Sequence, residues 1–172
     1  MATKKTLEHP SLRMVVDNSH RVRVVEAPQD NPPFSIQADA VEEDTALVLS
    51  ADSSIIYDTD EHPISLMTAL YAEPARIPGS VVIQGSKPYL FSAIVHDFNQ
   101  HISFREEWVW CALNEILLQC ESRKITALKL APIGTRYGTL KFAEFHQRLL
   151  AFLDRHEARS LRQIWLVTPQ NY

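Results

Sequence analysis

Apolar positions in the second half of the chain repeat with the periods of helices. From Ser103 to about Ser122 they recur every three or four residues, which places them on one helical face: Val109, Leu113, Ile116, Leu117 and Cys120. Ser103 and Glu106 form a capping box at the start of this helix. A second helix is predicted from about Lys141 to Arg155, with an apolar face made of Phe142, Phe145, Leu149 and Phe152.

Continuous apolar runs flank these helices and predict buried strands at Ile125–Leu130 and Ile164–Val167. Together with Tyr89–Val95 ahead of the first helix, the predicted order is strand, helix, strand, loop, helix, strand. Crossovers of this kind place parallel strands in one sheet with helices on its faces, so the predicted fold class is α/β. Ligands of such sheets bind outside the carboxyl ends of the strands.

The first half contains short β-branched and apolar runs separated by turn-forming segments. The predicted strands are Arg13–Val16, Arg21–Val25, Phe34–Gln37, Thr45–Ser50, Ser80–Gln84 and Tyr89–Val95. Turn residues at Asp17–His20 and Gly85–Pro88 predict hairpins between the first two and the last two of these strands. Pro63 suits a first helical turn and predicts a short helix at Ile64–Tyr71.

Length and composition fit one globular domain, since the 172 residues are 45% hydrophobic and 22% charged. We expect residues 1–10 to form a flexible tail and residues 11–172 to form a single domain. The net charge of -4 and the pI near 6.0 argue against an extended nucleic-acid partner, which favours a basic surface. No secretion signal or bilayer-length apolar run is present, so we expect no membrane association and a cytoplasmic location.

The two cysteines, Cys111 and Cys120, fall on the first predicted helix. Nine positions on a helix span about 13.5 Å, which is too far for a disulfide. The sequence therefore predicts two reduced core thiols, as is typical of the cytoplasm. No metal-ligand spacing surrounds either cysteine.

The clearest chemical motif is the segment Gly134-Thr135-Arg136-Tyr137-Gly138, called the glycine loop below. It holds two of the four glycines in the chain and lies between a predicted strand and a predicted helix. Successive amides in such a turn form an anion site, to which Thr135 could add a hydroxyl donor and Arg136 a positive charge. The alternative is a tight turn that binds nothing. The loop is neither a Walker loop nor a dinucleotide fingerprint.

Several segments resemble the macro domain family. Ile125–Gly138 is similar to that family's strand and second phosphate loop, with its Pro-x-Leu/Ile-Gly-Thr-Gly-x-x-Gly type of pattern. Ala93–Asp97 resembles the strand that ends in a histidine, and Asp44–Ser53 the strand "Asp-Ala-Ile-Val-Asn-Ala-Ala-Asn-Ser". Gln37–Ala40 resembles the segment "Gln-Gly-Asp-Ile". Order and approximate spacing agree from about Phe34 to Val167.

The resemblance implies a three-layer α/β/α fold with a central mixed sheet, and it implies binding of ADP-ribose or a related nucleotide. Asp39 would accept a hydrogen bond from the adenine amino group, and the glycine loop would hold the diphosphate. Asp52 takes the place of the family's ribose-binding asparagine. A solvated turn aspartate is the alternative interpretation of Asp39.

Three departures from the family's pattern change the functional expectation. The place of its first glycine-rich loop, Ser53–His62, has no glycine and carries acids that would repel phosphate. Asp52 replaces the asparagine, and Arg136 replaces a glycine. These departures argue against ADP-ribosyl hydrolysis and leave open a smaller or different ligand, or a cradle that has lost its ligand. The macro-like domain of leucine aminopeptidases is a case in which this fold serves without ADP-ribose.

Other residue groups offer alternatives. His96 and Asp97 could supply acid/base chemistry, but adjacent strand residues point to opposite faces, so a partly buried, hydrogen-bonded His96 is the favoured interpretation. Trp108 and Trp110 cannot share a helical face, so one of them could be exposed and mark a dimer contact or a base-stacking platform. Packing against the N-terminal strands is the alternative. An acidic loop could bind a divalent cation, although a solvated loop is the default. Its residues are Asp52, Asp58, Asp60, Glu61 and His62.

Three hypotheses follow. The first is a module that binds a nucleotide or other phosphorylated small ligand without catalysis, metal or cofactor, with contacts from Asp39, Asp52, Gly134, Thr135, Arg136, Tyr137 and Gly138. The second is an ADP-ribosyl or phosphoryl hydrolase that uses Asp52 or His96 as acid/base. The third is a ligand-free scaffold that associates, for example as a homodimer, through the tryptophan-bearing helix.

Overall fold

The computed structural model describes residues 22–49, 74–100 and 103–169. Two helices and six strands lie within these ranges. The strands are β1 (Arg23–Ala27), β2 (Ala38–Asp44), β3 (Val81–Gln84), β4 (Tyr89–His96), β5 (Ala127–Leu130) and β6 (Gln163–Val167). The helices are α1 (Glu106–Ser122) and α2 (Phe142–Asp154).

The six strands form one mixed sheet in the order β1-β6-β5-β2-β4-β3. All neighbours pair in parallel except β3 and β4, which form an antiparallel hairpin. Each parallel crossover in the second half contains one helix, α1 between β4 and β5 and α2 between β5 and β6. The carboxyl ends of β2, β4 and β5 therefore meet at one edge of the sheet.

One face of the sheet packs against both helices. Its core combines alternate residues of the strands with the apolar stripes of the helices, as in Ala38 and Ala40 of β2, Phe91 of β4, Ile116 of α1 and Phe145 of α2. Side chains alternate along a strand, so the residues between these point to the opposite face.

The predicted order of the second half is confirmed, and so is the hairpin of β3 and β4. The capping box is wrong, because α1 begins at Glu106 after Arg105, which makes no side-chain cap. Glu106 instead accepts a 2.6 Å hydrogen bond from Arg148 of α2. Its carboxylate therefore joins the two helices.

The strand predictions around β2 are wrong. Residues 34–37 are not a strand, residues 45–49 form turns, and the strand is Ala38–Asp44 between them. The continuous apolar run Thr45–Ser50 is typical of a strand covered on both faces, so a strand was predicted there. β2 instead ends in three acids, and a run of acids is not typical of a buried strand. These acids are buried because backbone amides satisfy their carboxylates, as described below.

Several predictions fall outside the described residues. They include the tail at 1–10, the strand Arg13–Val16 with its hairpin turn, the helix Ile64–Tyr71, and the acidic loop with Asp52. Of the first predicted hairpin, the second strand is present as β1, which pairs with β6 in parallel. Neither described helix has the length and apolar character needed to cross a bilayer.

The two tryptophans of α1 are both partly buried and pack against the core. The Trp110 ring lies 6.1 Å from the Phe145 ring and 5.9 Å from the Phe152 ring, and the Arg148 guanidinium covers it at 4.7 Å. The Arg105 guanidinium lies 5.5 Å from the centre of the Trp108 ring. Neither ring is the exposed contact that the scaffold hypothesis predicted.

The cysteine prediction holds for one thiol only, because Cys120 is buried and Cys111 is exposed. Burial raises the pKa of Cys120 to about 12, with a smaller contribution from the Glu121 charge. We expect a maleimide at pH 7.5 to add once to the folded chain, at Cys111, and twice after denaturation, since only a thiolate reacts. Peptide mass mapping would check this result, and a native adduct on Cys120 would contradict it.

Candidate ligand site at the glycine loop

The glycine loop follows β5 and lies at the shared carboxyl edge of the parallel strands. The pairing of β5 with β2 continues to Ala131, whose amide donates to the Ala40 carbonyl at 2.9 Å. The chain then turns, and Gly134 adopts φ +80°, a left-handed conformation that favours glycine. This turn brings the loop amides over the end of β2.

Glu42 of β2 binds the loop from below. Its Oε2 accepts a 2.6 Å hydrogen bond from the Gly134 amide, and its Oε1 accepts a 3.3 Å bond from the Tyr137 amide. The Glu42 side chain is only 7% exposed. The two amides of the loop thus converge on one carboxylate, which lies where the sequence predicted an external anion. We call the Gly134 and Tyr137 amides the inner amides.

Phe104 fills the concave side of the loop. A Cβ added at Gly134 would lie 2.9 Å from the Phe104 ring, and one added at Gly138 would overlap the Gly134 carbonyl oxygen and lie 2.7 Å from the same ring. Both glycines are therefore required by close packing within the chain.

Thr135 is also engaged inside the loop, since its amide and its hydroxyl both donate to the Pro132 carbonyl, at 3.1 and 2.7 Å. The hydroxyl predicted as a phosphate donor therefore has an intramolecular acceptor.

The outer side of the loop keeps unused donors. The amides of Arg136 and Gly138 have no acceptor in the described part of the chain, and we call them the outer amides. The Arg136 side chain is exposed and forms no ion pair with any described carboxylate. Its guanidinium lies 5.0 Å from the centre of the Tyr137 ring, which is 46% exposed. This rim combines a positive charge, two N–H donors and an aromatic face.

His96 at the end of β4 joins the site through a bulge. The register shifts between Glu43 and Asp44 of β2, so Asp44 pairs with His96 and Val95 is the extra residue. Bulges of this kind redirect side chains near functional sites. The His96 Nε2 lies 3.6 Å from the Glu42 Oε2, and its ring lies 5.3 Å from the Phe104 ring.

The predicted interpretation of His96 is half correct. The side chain is buried, but Nε2 has no hydrogen-bond partner in the described part of the chain. Its acidic neighbour in space is Glu42. Asp97 accepts a 3.0 Å bond from the Asn99 amide and caps its own turn.

Carboxylates organise two other turns in the same way. Glu43 and Asp44 accept hydrogen bonds from the amides of the turn that follows β2, among them Leu49 at 2.8 and 3.0 Å. Glu121 of α1 accepts from the Ser160 amide at 2.9 Å. Burial acts to raise the pKa of Glu121, but hydrogen bonds from residues 159–161 outweigh it and hold this pKa below its usual value. An anion therefore suits each of these amide clusters.

Asp39 lies away from the glycine loop. It is three residues before Glu42 on β2, so the two side chains point to opposite faces and lie about 10 Å apart along the strand. Its Oδ2 forms a 2.7 Å ion pair with the Lys129 Nζ, which also lies 5.4 Å from the Trp165 ring centre. The structure thus gives the predicted adenine contact an intramolecular partner.

Within the described ranges, no group of three or more His, Cys, Asp or Glu side chains is arranged to hold a metal ion.

The residues that the sequence prediction missed are Glu42 and Phe104. The signal for Glu42 was the acid triplet Glu42-Glu43-Asp44 directly after the alternating Ala38-Asp39-Ala40-Val41, a segment that no predicted strand included.

Comparisons place this architecture among known structures. Protein-family models and curated proteins give no match to the sequence. The fold is similar to the DarG macrodomain of Thermus aquaticus, with 19% identity, a TM-score of 0.58, and coverage of 86% of this chain and 98% of that one. The fold is also similar to the DarG macrodomain of Mycobacterium tuberculosis, with 12% identity, a TM-score of 0.59, and coverage of 85% of this chain and 98% of that one.

An Oceanobacillus iheyensis macrodomain structure with ADP gives 15% identity, a TM-score of 0.58, and coverage of 94% of this chain and 90% of that one. Sequence identities this low support similarity of fold and no further property. The order of strands and helices along the second half of the chain agrees with the prediction, and the central sheet is mixed, as the resemblance implied. The chain therefore has the three-layer α/β/α fold of the macrodomains.

Proposed function

We propose that this chain is a binding module for a nucleotide or another phosphorylated small ligand, and that it acts without catalysis. The observation that carries the proposal is the convergence of two glycine-loop amides on one carboxylate, at 2.6 and 3.3 Å. A loop that binds an internal carboxylate has the geometry of an anion receptor. Its outer amides, which have no acceptor in the described part of the chain, are the donors for a second, external anion.

The ligand's phosphate would contact the outer amides and the Arg136 guanidinium. The half-exposed Tyr137 ring, beside that guanidinium, offers a flat surface for a ribose or a base. The Oceanobacillus iheyensis macrodomain with ADP, and a point mutant of that macrodomain with ADPR, support a nucleotide as the ligand. Asp52 lies outside the described residues and stays a predicted ribose contact by resemblance.

The hydrolase alternative named Asp52 or His96 as acid/base. Asp52 lies outside the described residues, and His96 has Glu42 as its acidic neighbour, 3.6 Å away. The side chains of His96 and Glu42 are each 7% exposed, and the Glu42 oxygens are already bound to the inner amides. General acid/base catalysis needs hydrogen-bond reach to the substrate. Their burial therefore favours a binding role over a catalytic one.

Calorimetry with AMP, ADP and ADP-ribose would test the proposal, using Arg136→Ala as the site variant. We expect this variant to weaken AMP binding about tenfold, because a charge-assisted contact to phosphate is lost. Arg155→Ala is the matched control, since it removes the same charge from the far end of α2, about 20 Å along the helix. It should change the affinity less than about twofold.

Two results would contradict the proposal. One is the absence of heat with all three ligands at millimolar excess, which favours the ligand-free scaffold. The other is an equal loss of affinity for Arg136→Ala and Arg155→Ala, which would indicate a general charge effect.

A further inference from the structure

We infer that Glu42 takes the position of one phosphate, so that the site selects ligands with a single phosphate over diphosphates. This inference rests on the proposed function and names its ligand class. The glycine loop offers two sets of donors, and the structure assigns the inner set to Glu42. Among the described residues of the loop, the outer amides and Arg136 remain for an external anion.

The position of Glu42 makes it a lasting occupant of the inner amides. It lies on β2 and pairs with Ala93 of β4. β5 pairs with β2 at Ala38, Asp39 and Ala40, so the strand that carries Glu42 is held between two neighbours. Hydrogen bonds between a carboxylate and backbone amides are among the stronger ones in proteins. Phe104 packs against the loop and His96 lies 3.6 Å from the Glu42 Oε2.

A diphosphate would meet this carboxylate with its second phosphate. Two like charges about 4 Å apart, at an effective dielectric constant near 20, lower an affinity by roughly 10³-fold. A monophosphate held on the outer amides is about one phosphate length farther away, where solvent screens the repulsion. The charge of Glu42 thus discriminates between ligands that differ by one phosphate.

The test compares AMP with ADP on the full chain by calorimetry. For the native chain we expect AMP to bind at least tenfold more tightly than ADP. Glu42→Ala frees the inner amides, and it should raise the ratio of ADP affinity to AMP affinity by at least tenfold. Glu42→Gln removes the charge but keeps the volume, and it should give a smaller shift of the same sign.

A thermal melt of each variant comes first, because Glu42→Ala leaves buried amides without a partner. If Glu42→Ala does not fold, Glu42→Gln carries the comparison. An unchanged ADP-to-AMP affinity ratio in the variants, or native binding of ADP as tight as that of AMP, would overturn the inference.

The outcomes also separate this inference from the proposed function. Binding of both nucleotides without selectivity overturns the role of Glu42 and leaves the binding module intact. Absence of binding by the native chain, with ADP bound by Glu42→Ala, means that Glu42 blocks the whole loop, which overturns the single-phosphate class. Absence of binding by every folded variant overturns both.

Discussion

Replacing Gly134 by alanine should lower the free energy of unfolding by about 2–5 kcal/mol. The residue has φ +80°, which is unfavourable for a side chain, and its Cβ would lie 2.9 Å from Phe104 and 3.1 Å from Val109. Gly85→Ala is the matched control, because its φ is +77° and its Cβ would meet nothing within 4 Å. It should cost only the backbone term of about 1–2 kcal/mol.

Chemical denaturation of the two variants would measure the difference, which isolates the packing of Phe104 on the loop. In a Phe104→Leu background the excess cost of Gly134→Ala should shrink, because the smaller side chain leaves room for the methyl group. Equal losses at Gly134 and Gly85 would mean that the loop is open and that Phe104 does not fill it.

Replacing Asp39 by alanine should lower the free energy of unfolding by about 2–4 kcal/mol, because it leaves the Lys129 ammonium buried without its counterion. The Lys129 side chain is 11% exposed and that of Asp39 is 27% exposed, so we take a value below that of a fully buried pair. Lys129→Met in the Asp39→Ala background should recover most of the loss. Denaturation curves of the four members of this double-mutant cycle give the coupling energy.

The control is Glu144→Ala, which breaks the exposed 3.4 Å pair with Arg148 and should cost less than about 0.5 kcal/mol. AMP affinity should stay within about twofold of the native value in Asp39→Ala. A stable Asp39→Ala variant that no longer binds AMP would contradict this prediction and support the adenine contact implied by the resemblance.

Together these two predictions divide the motif residues into those that build the site and those that contact a ligand. Gly134 and Gly138 are required by contacts with Phe104 and with each other. Asp39 neutralises a lysine on the other face of the sheet. Arg136 alone among the predicted polar contacts in the described ranges is exposed with its charge unpaired, which makes it the residue most suited to an incoming phosphate.

The order of elements in the second half of the chain was predictable because it follows from the local periodicity of apolar residues. The apolar stripe of α1 and the apolar run of β5 each consist of residues only a few positions apart. Their burial can therefore be inferred from the segment alone. The glycine loop was predictable for the same reason, since two glycines between a strand and a helix mark a tight turn. Periodicity by itself indicated only the α/β class, and the resemblance of several segments to the macro domain family indicated the fold within that class.

The site depended on contacts that no local pattern contains. Glu42 is bound to amides 92 and 95 positions away, and only these partners make a buried carboxylate stable in a central strand. Without these partners a triplet of acids is unfavourable in a buried strand. The prediction therefore placed strands at the apolar runs on either side of β2, at Phe34–Gln37 and Thr45–Ser50. The sequence thus determined the order of elements in the second half and the position of the glycine loop. The tertiary structure decided which anion the inner amides hold, because hydrogen-bond satisfaction is settled only when distant segments meet.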